Sequence, residues 1–567
     1  MSRQLDLLIT NGLVFDGSGR PGYRADVGVR GDEIVLVGRA GDVPAARTVD
    51  AAGKVVCPGF VDIHGHSDYL LLMDPSCDSK ITQGITTDVG GNCGLSPGPF
   101  SDVWYVDWWV DNPRNFHSVP ITQGREILRE HGLELDWQDL GGFFDRLDGA
   151  GLGPNYAGLV GHYVLRSTAY GEPGTQPARP ATRDEIGRMK DLVRQAMEQG
   201  ARGVSCAFHH TDPELDVSPE EFRELGRVVA EYDGIFAFHL RSYTDLLLSS
   251  VREAIELADT VGVRTTVSHL MADGKEYWGK LSYALDKIAK ARAEGVPIWT
   301  DVMLTLQARN YMSGGLLTMM PDATVAAAGE DWAGYFADAS RVADTAEAIR
   351  KGGANRWYKA RFNPSSYWPL WDEMLRVIRS PRQPEFEGLM LYDVGRLLGC
   401  DSYEAMCHLL RINDGDADTI LERSDEGDIV DVLQHPMSMV GTDGSPVLPI
   451  RSPRPPNPRL YASYPMLFGH YVRELDALRF EEAVMKSTSI PAQFLGLRDR
   501  GELRPGYKAD IVVMDAAQVR GHQHLTARPN DYHEYSEGVT HVAVNGQLVV
   551  DGGELTANRP GQVLRLR

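Results

Sequence analysis

The sequence predicts an α/β protein, a (β/α)8 barrel of the TIM type with inserted segments and a small β-sandwich domain built from both chain ends. Three observations carry that expectation. Short apolar runs alternate with amphipathic helical stretches between about residues 183 and 300, the pattern of a parallel sheet with crossover helices. Both chain ends are instead rich in short β runs separated by Gly, Asn and Asp turn signals. Histidine or aspartate repeatedly stands where an apolar run stops, the place at which barrel strands deliver side chains to an active face. The expected boundaries are 1–57 for the N-terminal part of the sandwich, 58–490 for the barrel, with insertions near 100–147 and 305–380, and 491–567 for the C-terminal part.

The N-terminal runs are Leu5–Thr10, Leu13–Phe15, Ala25–Val29 and Ile34–Val37, a small antiparallel sheet divided by Asn-Gly, Asp-Gly-Ser-Gly and Gly-Asp turns. The C-terminal end repeats the texture in Lys508–Asp515 and in His541–Val550, where Asn545-Gly546 sits as a hairpin between two apolar runs. Between the ends, Thr182-Arg-Asp-Glu185 and Ser218-Pro-Glu-Glu221 read as capping boxes, so helices begin near 183 and 219. Ile186, Met189, Val193 and Met197 keep helical spacing up to Gly200. Strands are expected at Gly203–Ala207, Ile235–Phe238, Thr265–Ser268 and Pro297–Thr300. The insertions hold Trp104, Trp108, Trp109, Trp137, Trp332, Trp357, Trp368 and Trp371, read as a secondary core, with a pocket wall as the alternative.

A net charge of -22 over 567 residues excludes the function classes that reward clustered Lys and Arg, namely binding to nucleic acid or to an anionic membrane surface. The expected partner is a small molecule, and assembly into a homo-oligomer is compatible with the composition. Six cysteines, at 57, 77, 93, 206, 400 and 407, are scattered without the spacing of a disulfide scaffold. With no apolar signal region at the N-terminus and no run long enough to span a bilayer, a cytoplasmic location without membrane attachment is expected.

The chemistry concentrates at Pro58-Gly-Phe-Val-Asp-Ile-His64-Gly-His66-Ser-Asp68. Side chains two apart on a strand share a face, so His64 and His66 can converge on one point, and paired imidazoles beside a carboxylate suit a divalent metal. By itself the dipeptide pattern is equally compatible with a surface pair. The same pattern then recurs: Ile235-Phe-Ala-Phe-His239, Thr265-Thr-Val-Ser-His269 and Val440-Gly-Thr-Asp443 each close an apolar run on a potential ligand. A glycine-dense turn, Gly-Asn-Cys93-Gly, adds a thiol.

The His64 segment and the Gly-Asn-Cys93-Gly turn resemble the amidohydrolase superfamily, and within it the D-aminoacylase (N-acyl-D-amino-acid deacylase) family. The likeness extends to Gly158-Leu-Val-Gly-His162, Tyr277-Trp-Gly-Lys280, Asn457-Pro-Arg459-Leu-Tyr461 and the run from Arg504 to Val513. It implies metal ligation by His64, His66, Cys93 as a bridge, His239, His269 and Asp443, to one or two Zn2+ ions, with iron, cobalt or manganese as alternatives. It further implies Asp443 as the catalytic general base and acid, Arg459 as the grip on a substrate carboxylate, and His162 as a substrate contact, a support for a ligand or a structural hydrogen bond. Cys206 is read as packing, with an approach to the site as the alternative.

The chain departs from the family pattern at three places, since Asn457 stands where relatives carry histidine, Met271 where they carry lysine and Met303-Leu304-Thr305 where they carry Tyr-Pro-Tyr. Both methionines are therefore expected at the substrate, in a wide apolar pocket. The implied activity is metal-dependent hydrolysis of a non-peptide amide bond, deacylating an N-acyl (D-)amino acid or related N-acyl compound with a bulky apolar group. The alternatives are a hydrolase of a cyclic amide or imide, or of an amide lacking an α-carboxylate, and, from another class, an inactive scaffold.

Overall fold

The computed structural model describes residues 4–99, 136–171, 179–207, 217–308, 316, 320–351, 373–422, 424–447, 457–521 and 535–566. Trp104, Trp108, Trp109, Trp357, Trp368 and Trp371 lie outside these residues.

Both chain ends contribute to one nine-stranded sheet, in which Ile511–Met514 pairs antiparallel with Val55–Pro58 and so joins the two halves. One cluster of apolar residues, including Ile9, Val27, Val29, Val56, Ile511 and Ala543, packs from both ends of the sequence. The runs expected as Leu5–Thr10 and Leu13–Phe15 are one strand, Leu5–Val14, because Asn11-Gly12 forms a bulge and not a hairpin. Asn11 adopts a φ of 62° and its amide holds Asp50 at 2.9 Å. At Gly12 a Cβ would lie 2.4 Å from Val56 Cγ2, so no larger residue fits the close approach of the two strands.

The parallel strands are β1 (Phe60–Asp62), β2 (Ile85–Gly90), β3 (Asn155–Gly158, continued past Leu159 by Val160–Gly161), β4 (Gly203–Cys206), β5 (Ile235–Phe238), β6 (Arg264–Val267), β7 (Ile298–Val302) and β8 (Ser438–Val440). They form a three-stranded and a six-stranded parallel sheet that meet within β3. At the other edges a parallel bridge between Gly65 and Gly444 follows β1 and β8 directly, with Asp443 N donating to His64 O at 2.7 Å. Nearly every strand residue is buried, as expected for parallel strands covered on both faces.

Crossover helices begin where their caps place them. Thr182 accepts from Glu185 N and Glu185 accepts in return from Thr182 N, a complete capping box ahead of α1 (Arg183–Glu198). The second expected box is one-sided. Ser218 caps α2 (Pro219–Glu231) through Glu221 N, but the Glu221 carboxylate turns inward to His162 and Arg166, where two buried partners outcompete a single backbone amide.

Between β7 and β8 the chain adds a small antiparallel sheet of Gln307–Ala308, Leu375–Arg379 and Asp418–Glu422, flanked by helices such as Ala339–Arg350 and Ser402–Asn413. Trp332 packs against Phe336 in this insertion, and Trp137 packs on Phe143 with its indole N–H donated to Pro97 O. Both are core residues. No helix among the described residues is long and apolar enough to cross a membrane.

Candidate metal centre

Every expected ligand sits just past a strand end. His64 and His66 follow β1, Cys93 follows β2, His239 follows β5, His269 follows β6 and Asp443 follows β8. The turns that carry them are held in uncommon backbone conformations, with φ of 51° at Cys93, 34° at His269 and 46° at Asp443. Non-glycine residues rarely hold such angles, and where they do the strain concentrates at functional sites.

The side chains converge on the Cys93 sulfur. His64 Nε2 stands 3.2 Å from it, His239 Nδ1 3.5 Å and His269 Nε2 3.5 Å. Ligand atoms of His64, Cys93, His269 and Asp443 all lie within 4.8 Å of one another. His66 joins through Asp443, its Nε2 2.9 Å from Oδ1. Donors sharing one tetrahedral ion at ~2.0–2.3 Å stand about 3.5 Å apart, so these nitrogen–sulfur separations fit a zinc-type ion. The donor set of imidazoles, a thiol and a carboxylate fits as well, and the six side chains are nearly all inaccessible to solvent.

Electrostatics reinforce the fit. Burial alone would push the Cys93 thiol up, but His64 and His269 outweigh it and hold it well below its ordinary range, toward the thiolate that binds metal. Burial likewise opposes charge on Asp443, yet the Arg459 guanidinium and His66 keep its carboxyl well below the usual range. Burial would lower His66, but Asp443 and Cys93 outweigh it and raise it to about 9. Protons on such imidazoles are the ones a bound cation displaces. Cys93→Ala is therefore expected to purify with less metal, read by elemental analysis, and full occupancy with full activity would remove Cys93 from the ligand set.

Beneath the cluster lies a buried ion network. Lys80 Nζ, with no solvent exposure, holds Asp88 at 2.7 Å and Asp62 at 2.9 Å. Asp62 also accepts from Thr442 N at 2.9 Å and Thr442 Oγ1 at 2.6 Å, tying β1 to the turn that carries Asp443. Gly65, between the two histidines, rests on this network: a Cβ there would meet Asp88 Oδ1 at 2.0 Å and Lys80 Nζ at 2.9 Å. Asn92 shapes the Cys93 turn by donating to Val89 O and Gly65 O.

Among the residues expected at the substrate, Arg459 and Met303 reach the centre. Arg459 opens the helix Arg459–Met466, is buried, and places Nη1 2.8 Å from Asp443 Oδ2 and 3.3 Å from Met303 Sδ. Met271 is buried in the main apolar cluster. Of the roles expected for His162, the hydrogen bond is the one seen: its Nε2 is 2.7 Å from the buried Glu221 carboxylate and its ring packs on Phe222. Burial holds this imidazole below its usual pKa. Glu221 leaves its helix cap to make this contact. Cys206 is buried in the main apolar cluster, and its carbonyl accepts from His239 N at 3.2 Å.

Sequence reasoning missed Lys80, Asp62, Asp88 and Asp301 as parts of the site. Asp301 sits in β7, 3.4 Å from His64 Nδ1 and accepting from His269 N at 2.7 Å. Its signal was present, since Ile298-Trp-Thr-Asp301 brings an apolar run to a carboxylate just as the other ligand-bearing strands end.

A model described as the amidohydrolase family matches residues 47–353 and 410–550 of this chain. The N-acyl-D-glutamate deacylase of Alcaligenes xylosoxydans xylosoxydans is 31% identical over 565 residues, covering 100% of this chain and 97% of that protein. The D-aminoacylase of the same organism is also 31% identical, covering 99% of this chain and 98% of its own length. Among solved structures, the N-acyl-D-glutamate deacylase of Bordetella bronchiseptica, complexed with zinc and a phosphonate mimic of the tetrahedral intermediate, superposes with a TM-score of 0.72 at 30% identity, covering 99% of this chain and 100% of that one. A D-aminoacylase with a binuclear metal centre gives the same TM-score at 28% identity, with 99% and 100% covered.

Proposed function

The chain belongs to the amidohydrolase family, and from that premise we propose that it is a metal-dependent hydrolase of a non-peptide carbon–nitrogen bond that removes the acyl group from an N-acyl amino acid. The observation that carries this reading is the convergence of three imidazole nitrogens on the Cys93 sulfur with Asp443 beside them. The eight parallel strands, linked through β3 and through the Gly65–Gly444 bridge, are read as the closed (β/α)8 barrel that supports it. The nine-stranded sheet is read as the sandwich domain beside the barrel. All six cysteines are free thiols, which fits a reducing cytoplasm.

His64, His66, Cys93, His239, His269 and Asp443 would hold the metal. When bound, an ion of the zinc type makes a water nucleophilic near neutral pH and polarises the scissile carbonyl. Asp443 takes the proton of the attacking water and returns it to the leaving nitrogen, a base turned acid. Arg459 holds that carboxylate ionised before substrate arrives and is well placed to take a substrate carboxylate on its planar fork. Buried, unbranched Met303 against Arg459 and the buried Met271 support a substrate with a bulky apolar group. A second substrate carboxylate would compete with Asp443 for Arg459, and a buried unpaired charge costs several kcal/mol.

The test is metal analysis of the purified protein followed by amine release from paired D- and L-N-acyl amino acids and from cyclic amides. Release from N-acyl amino acids that stops on chelation and returns with zinc is the expected result. A metal-replete protein that opens cyclic amides and leaves N-acyl amino acids intact would replace this reading with the cyclic-amide one. For the carboxylate grip, Arg459→Ala is expected to lower kcat/KM on N-acyl leucine by ~30-fold or more, the loss typical of one partner of a buried charge pair. An N-acyl amine without the carboxylate should lose far less, and equal losses on both would assign Arg459 to Asp443 alone.

A further inference from the structure

We propose that Asp301 is a positioning residue of the metal centre, one carboxylate that sets the tautomer of His64 and the placement of His269 together. The inference rests on reading those two histidines as ligands. Asp301 is 1% exposed at the end of β7, between the two turns it touches. Its Oδ1 accepts from His269 N at 2.7 Å and faces His64 Nδ1 at 3.4 Å, while Oδ2 accepts from Thr266 Oγ1 at 3.3 Å. Its carbonyl accepts from Leu270 N at 2.8 Å, so main chain and side chain both grip the residues around His269.

The consequence for His64 follows from the two ends of its ring. Nε2 looks toward Cys93 at 3.2 Å and Asp443 at 3.6 Å, and Nδ1 looks the opposite way, toward Asp301. A neutral imidazole carries one proton. With an acceptor-only carboxylate at Nδ1, the proton sits there and the Nε2 lone pair is delivered to the point the other ligands share. The consequence for His269 is conformational. Its φ of 34° is unfavourable for a side-chain-bearing residue, and an acceptor aimed at its amide keeps the turn in that state.

Asparagine has the same shape without the charge. With its oxygen in the Oδ1 position, a single neutral and weaker acceptor faces both His269 N and His64 Nδ1, and its NH2 faces Thr266 Oγ1. If it flips, the NH2 meets the His269 N–H donor against donor and donates toward His64 Nδ1, driving the proton to Nε2 and blocking ligation.

The measurement is zinc affinity of the full chain by competition with a chromophoric chelator, alongside the melting temperature of the chelator-treated protein. Asp301→Asn is expected to bind zinc ~10–100-fold more weakly, the usual effect of losing such an outer partner, with little change in metal-free melting. Thr266→Val, which removes only the Oδ2 contact, should lose less than a third of that factor. Wild-type affinity in folded Asp301→Asn overturns the proposal, as does an equal loss in Thr266→Val. If Asp301→Asn does not fold, 15N spectra of histidine-labelled, zinc-loaded wild type decide, with His64 assigned through His64→Gln: a proton on Nδ1 supports the proposal and a proton on Nε2 overturns it. Failure of the wild type to bind zinc would instead defeat the metal reading itself.

Discussion

Asp443→Asn is expected to lower kcat by at least ~10²-fold, the scale of a lost general base, with a smaller effect on KM. The substitution preserves volume, and its amide oxygen can still accept from Arg459, whose Nη1 lies 2.8 Å from the native carboxylate. What disappears is the negative charge and the site that takes the proton. His66, 2.9 Å from the other carboxylate oxygen, would then face either an amide donor or a weaker acceptor. Because Asp443 is also a candidate ligand, turnover should be measured at saturating zinc with metal content determined in parallel. A fully metallated mutant that keeps most of its turnover would move the proton transfer to another group.

Lys80→Met is expected to destabilise the protein by about 3–5 kcal/mol, the cost of stripping one partner from a buried charge cluster. Lys80, Asp62 and Asp88 have no solvent exposure, so neither carboxylate can recruit water when the ammonium is removed. The damage would reach the metal centre, since Asp62 secures Thr442 beside Asp443 and Gly65 rests on Lys80 and Asp88. The pH dependence has a definite sign. Burial already raises Asp88 above its ordinary value, with Lys80 opposing that rise, so removing Lys80 raises it further. A carboxyl with a folded pKa above its unfolded one binds more protons when folded, so stability of the mutant falls as pH rises through that window. Denaturation of Lys80→Met at pH 5 and pH 8 should therefore show the larger deficit at pH 8. A loss under 1 kcal/mol, or one independent of pH, would mean the two aspartates find other partners.

Much of the site was legible because its signals are local. His64, His66, His239, His269 and Asp443 were each marked by an apolar run stopping on a coordinating side chain, and Cys93 by its glycine-dense turn. Strand-end position is a property of a few consecutive residues, and adjacent parallel strands send all such ends to one side. Glu221 shows the limit. Ser218-x-x-Glu221 has the capping-box spacing, but the sequence around it cannot register His162, 59 residues away, which holds the carboxylate at 2.7 Å.

By itself, then, the sequence determined the alternation of strands and helices, the β character of both ends and six of the residues that gather at the centre, since periodicity, caps and run endings are written in neighbouring residues. Tertiary structure alone decided the partnerships. It made Asn11-Gly12 a bulge because Val56 packs against Gly12, set Asp301 between His64 and His269, and buried Lys80 between two aspartates under Gly65. The physical reason is separation along the chain: His66 meets Asp443 across 377 residues and Thr442 meets Asp62 across 380. Which polar group satisfies which is settled only when the strands that carry them are laid side by side and water is excluded from between them.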